Sequence, residues 1–179
     1  MALVVFLRGL NVGGHRRFRP STLAARLHHV DAVNIGATGT FVIRKPIGRR
    51  ELRAEISRAI PFPVEVVICD GRDVVRLVAQ DHFAEHQKEA KTVRFVSVLS
   101  RAPRQAPDLP IALPIRGRWL VKVLAREGRF VLGIYRRDMK VIGLLGELDR
   151  MFGVRATTRS WSTMERIAKV LDFTQRGSI

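Results

Sequence analysis

Val33-Asn34-Ile35-Gly36-Ala37-Thr38-Gly39-Thr40-Phe41-Val42-Ile43 contains two short apolar runs joined through a glycine-bearing turn. Read as two strands and a hairpin, it decides the fold of everything around it. Upstream, Leu23, Leu27 and Val30 recur at i, i+4 and i+7, one apolar face of a helix opening at the Pro20-Ser21 pair. Further upstream, Ala2 to Arg8 is a Val- and Leu-rich strand closed by Gly9. Downstream, Leu52, Ile56 and Ile60 give a second helical face stopped by Pro61 and Pro63, and Val64 to Cys69 is another apolar strand. The order β-α-β-β-α-β is that of a ferredoxin-like unit, with two helices on one face of an antiparallel sheet and the other face left open.

Beyond it, Asp70 to Ala79 reads as a short helix, and residues 80 to 90 are polar without a period. Lys91 to Leu99 reads as a strand. Pro103, Pro107, Pro110 and Pro114 mark an extended connection that no helix can cross. Arg118 to Ala125 and Arg129 to Tyr135 are strands around the Glu127-Gly128 turn. Leu144, Leu145, Leu148 and Phe152 form a helical face ending at Gly153, Val154 to Thr158 a short strand, and Ser162-Thr163-Met164-Glu165 a capping box opening the last helix. The expected class is therefore α+β, as two ferredoxin-like halves with mainly antiparallel sheets. Residues 1–80 form the first half, and residues 91–179 a looser repeat lacking its first crossover helix.

Hydrophobic residues make up 46% of the 179, which suits a packed core and excludes a wholly disordered chain. The longest apolar stretches fall far short of the roughly 20 residues that span a bilayer. Met1 leads straight into a strand-like run without a basic leader, so a cytoplasmic protein with no membrane partner is expected. Cys69 is the single cysteine and sits in an apolar run, so it reads as a buried thiol.

Charge is the strongest compositional signal. Thirty-two basic residues face 16 acidic ones, a net charge of +16. Fourteen basic residues face nine acidic ones up to residue 90, and 18 face seven thereafter. Such an excess draws polyanions, although arginine enrichment by itself names no site.

The loop of residues 9 to 19 is the best local candidate for chemistry. Gly9, Gly13 and Gly14 would let backbone approach a ligand, Arg8, Arg16 and Arg17 supply charge, and Asn11 adds an amide. Its spacing matches neither a Walker loop nor a dinucleotide fingerprint, and a turn shaped by glycines explains it equally well. His82 and His86, with Glu85 and Glu89 nearby, have helix-face spacing for a metal but no third ligand, so no metal or cofactor is expected. No G-x-S-x-G is present, and no catalytic residue can be named. Arg159 and Trp161 could clamp an anion and stack a ring, or serve as packing before the last helix.

Leu7-Arg8-Gly9-Leu10-Asn11-Val12-Gly13-Gly14 and Gly153-Val154-Arg155-Ala156-Thr157-Thr158-Arg159-Ser160-Trp161-Ser162-Thr163 resemble the end signatures of the bacterial family catalogued as domain of unknown function 1697. Asp81-His82-Phe83 falls where that family usually has Asn-Pro-Phe. The resemblance implies two ferredoxin-like halves and no particular activity. It also shows departures. Thr38-Gly39-Thr40 replaces Ser-Gly-Asn, Arg159-Ser160-Trp161-Ser162-Thr163 replaces Arg-Asn-Trp-Asn-Thr, and the Ser-Lys-Leu segment is unmatched, with Lys140 out of register.

Three functions follow as expectations. The leading one is binding of RNA or single-stranded nucleic acid through arginine-rich edges. It lacks the strand aromatics of an RNA-recognition sheet, because Phe41, Phe95 and Phe130 are scattered. The others are an enzyme or sensor gripping a small anionic ligand with Arg8, Asn11, Gly13, Gly14, Arg16, Arg17, Arg159 and Trp161, and a structural or partner-binding protein. Oligomeric state is not encoded legibly.

Overall fold

A computed structural model describes residues 1–10, 17–86 and 91–176. The chain divides into two compact units, Met1–Ala79 with Thr163–Ile179, and Gln80–Ser162. The last helix, grouped by its sequence position with the second half, thus belongs from Thr163 onward to the first unit.

In the first unit, β1 (Leu3–Arg8), α1 (Pro20–Arg26), β2 (Ala32–Asn34), β3 (Thr40–Ile43), α2 (Arg49–Ala59) and β4 (Glu65–Asp70) follow the expected order, and α3 (Gly71–Val78) comes next. The sheet runs β2-β3-β1-β4 with every neighbouring pair antiparallel. Gly36 and Gly39 both have φ of +75° and turn the chain between β2 and β3. Leu3, Val5 and Leu7 alternate toward the helices and pack with Leu23, Leu27, Leu52 and Ile56.

One expectation fails here. The other sheet face is not open: Val4, Phe6, Val42, Val67 and Cys69 are all buried. The physical reason is visible in the strands. Val4-Val5-Phe6-Leu7 and Val66-Val67-Ile68-Cys69 are continuously apolar, and only alternation gives a strand one wet face.

In the second unit, β5 (Thr92–Leu99), β6 (Ile111–Leu113), β7 (Val121–Glu127), β8 (Phe130–Arg136), α4 (Val141–Gly146), α5 (Leu148–Phe152) and β9 (Ala156–Ser160) build a sheet in the order β6-β7-β8-β5-β9. All its neighbouring pairs are antiparallel. With β6 set aside, the order β7-β8-β5-β9 repeats the second-third-first-fourth pattern of the first sheet. The proline-rich segment holds β6 where that pattern has its first helix. Phe95, Leu99, Val121, Val123 and Val131 face Val141, Leu148 and Phe152 in one core. The helical stretch expected as one element is two, α4 and α5, and the second ends at Gly153 with φ of +60°. The final helix, α6 (Trp161–Arg176), starts one residue before the capping-box serine, which puts Ser160 ahead of it.

Candidate functional site: a basic cleft in the second unit

Asn11, Gly13, Gly14 and Arg16 lie outside the described residues. Arg8 ends β1, half-buried and paired in register with Glu65, and Arg17 is exposed. These two belong to the first unit, Arg159 and Trp161 to the second.

Arg159 of β9 pairs with Val96 of β5 and so points to the same side of the sheet as the buried Val96 and Val98. It is only 8% exposed, and its Nη1 donates to the neighbouring Thr158 carbonyl at 2.9 Å. Burial pulls its guanidinium down from the ordinary arginine range to about 10. Both folded and unfolded chains carry this charge at neutral pH, so the desolvation cost, on the order of 3 kcal/mol, is present throughout that range. Above about pH 10 the folded chain sheds the proton first, the unfolded chain binds more protons, and this group's contribution shifts toward greater stability as pH rises. Trp161 is buried as well. Phe83 packs edge-on to it at 5.1 Å and His82 at 5.9 Å, while His82 Nδ1 approaches Glu127 at 3.4 Å. Phe83 is itself fixed by a turn in which its backbone N–H donates to Asp81 Oδ1 at 3.3 Å. Both signature residues are thus seated as packing elements.

We expect Arg159→Met to melt within a few degrees of the wild-type temperature at neutral pH. The relieved desolvation and the hydrogen bonding lost are of similar size, on the order of 1–3 kcal/mol, and offset one another. Thermal denaturation checks this, and anion affinity should not change.

The concentration of accessible charge lies elsewhere in the same unit. Lys91, Thr92, Arg118, Arg136 and Arg137 line a cleft of about 520 Å³. Thr92 and Arg136 face each other across β5 and β8, which sets the floor. Arg118 reaches in from the loop before β7, and Arg137 follows the end of β8. Arg136 is positioned by Trp119. Its guanidinium carbon lies 4.1 Å from the indole centroid, Lys122 Nζ lies 4.3 Å from it, and Arg136 Nε is buried without a hydrogen-bond partner among the described residues. Lys91 holds a left-handed backbone with φ of +64°, a conformation costly for a lysine and common where function fixes the chain. Among the described residues, no carboxylate lines this cleft and none sits within ion-pair distance of its four cations.

Two further depressions lie in the same unit. One, of about 500 Å³, is lined by Pro114, Leu120, Lys140, Leu144 and Arg150 among others. The next, of about 440 Å³, shares Arg150 with it and adds Arg101, Arg104 and Gln105. Among the described residues, no group of His, Cys, Asp and Glu could hold a metal, and no helix is long and apolar enough to cross a membrane.

None of the cleft's residues was a sequence candidate. The excess of charge after residue 90 pointed to this half, but Lys91, Arg118 and Arg136-Arg137 converge only through strand pairing.

Fold and site together define an α+β protein of two antiparallel sheets, the second bearing a cationic cleft. The chain belongs to the family described as Protein of unknown function (DUF1697), whose model matches residues 1–109. A conserved bacterial protein from Streptococcus pneumoniae shares the fold, with a TM-score of 0.59 at 11% identity over 96% of this chain and 98% of that one. No curated protein matches the chain.

Proposed function

We propose that the protein binds nucleic acid, RNA or single-stranded, by gripping phosphates in the cleft of its second unit. The observation that carries this reading is the meeting of Lys91, Arg118, Arg136 and Arg137 around one opening, with no carboxylate among the described residues that line it. Arginine presents planar, paired donors that match phosphate oxygens, and the Trp119 stack holds one such guanidinium in place before any ligand arrives. Thr92 adds a hydroxyl at the floor. The chain's +16 charge supplies the long-range field that speeds encounter. Binding through this cleft uses no exposed sheet face, which agrees with the burial of the apolar strand faces.

Fluorescence anisotropy with labelled RNA and DNA at low salt tests the reading. Affinity should fall steeply as salt rises, with a log-log slope of about −0.7 per phosphate contact on a single strand. Tighter binding of inorganic phosphate or a mononucleotide than of an oligomer would instead favour a small anionic ligand. Absence of any binding at low salt would reject both.

A further inference from the structure

The large apolar side chains most exposed among the described residues include Ile115 at 87%, Met139 at 91% and Ile142 at 80%. Each lies beside a segment that lines one depression: Ile115 follows Pro114, and Met139 and Ile142 flank Lys140 and Gly143. Ile142, Gly143 and Gly146 share the outward side of α4, with Met139 one turn ahead, while Val141 and Leu148 are buried. Gly143 and Gly146 have nothing within 4 Å of where a Cβ would stand, so this side of the helix is open. Pro114, adjacent to Ile115, lines the same depression as Gly143 and Leu144, which sets the loop of residues 114–120 opposite α4.

The charges around the patch narrow its occupant. Lys140 and Arg150 line the depression with Glu147, Arg118 and Arg137 line the basic cleft fed by the same loop, and Arg116 and Asp138 adjoin Ile115 and Met139 in the chain, so cations outnumber carboxylates around it. A second copy of this chain would bring the same positive border against it. The occupant must therefore be anionic and also offer apolar surface. The loop of residues 114–120 supplies Arg118 to the basic cleft and Leu120 to the apolar depression, so one short segment links the two surfaces.

We infer that the patch of Ile115, Met139 and Ile142 receives the unstacked bases of a single-stranded nucleic acid whose phosphates lie in the adjoining basic cleft. This rests on the reading given under the proposed function and adds to it a surface that receives the bases. A duplex keeps its base faces stacked and shows the cleft only phosphate. A single strand offers both surfaces at once: its unstacked bases present apolar faces that Ile115, Met139 and Ile142 can cover by removing area from water, without the aromatic stacking platform of other single-strand binders.

The test compares single-stranded oligonucleotides of about 12 nucleotides with an abasic oligomer of the same phosphate count and with a duplex of equal length. The single strand should bind at least about tenfold more tightly than either. Met139→Ser with Ile142→Ser should lose about tenfold on the single strand, leave the abasic oligomer unchanged and keep the salt slope. Met139→Ala with Ile142→Ala should show the same direction with helix propensity preserved. Equal affinity for single-stranded and abasic oligomers, or no loss in either double variant, would overturn this inference while leaving phosphate binding intact. So would loss of phosphatidylserine vesicle binding in these variants without loss of oligonucleotide binding, which would assign the patch to lipid. No binding of any oligomer would overturn both readings.

Discussion

Gly133→Ala should destabilise the protein by about 3 kcal/mol, at the upper end of what overpacking a filled core costs. Gly133 lies in the middle of β8 and faces Phe95 across the sheet. A Cβ there would stand within 2.4 Å of both the Lys122 carbonyl oxygen and the Phe95 ring. Neither neighbour can move cheaply, because the first is ladder backbone and the second is fully buried in the core with Leu99 and Val131. The glycine is needed for space rather than for a special dihedral. Chemical denaturation measures the loss. Shrinking the ring with Phe95→Leu should make the double variant lose less than the two single losses added, and Gly143→Ala, in open space on α4, should gain up to about 1 kcal/mol.

The largest expected effect on function comes from reversing charge at the cleft. Arg118→Glu with Arg137→Glu should lower affinity for single-stranded oligonucleotides by at least about 100-fold at roughly 50 mM salt, since two phosphate contacts vanish and two repulsive charges replace them. Both side chains are exposed, so the fold should tolerate the change and thermal melting should stay near wild type. Reversal of Arg101 and Arg104, which line the outer depression, should cost less and matter most for longer strands.

The first sheet was legible because its hairpin sits between two helical faces and each strand has a glycine or proline within two residues of one of its ends. What its strands also encoded was double-sided burial, and the continuous run Val4-Val5-Phe6-Leu7 was the signal that an open face could not exist. Strand β6 is not legible in the sequence because Ile111-Ala112-Leu113 is too short to show alternation and lies between Pro110 and Pro114. Prolines suit such a place at a sheet edge, where a missing N–H breaks no ladder. The burial of Arg159 depends on its register opposite Val96, which spacing alone does not give. The cleft was illegible for a related reason. Its cations come from segments some 20 to 30 residues apart, and composition registers their number but not their convergence. Glycines and arginines clustered in one loop were easier to see than arginines gathered by a sheet.

The salt dependence of binding for Arg118→Ala with Arg137→Ala, set beside that of the wild type on one single-stranded oligonucleotide, tests the central claim most directly. If these side chains neutralise phosphates, the log-log slope should become shallower by about 1.4, or about 0.7 for each contact removed. Identical slopes for variant and wild type, or no binding by the wild type at low salt, would contradict it.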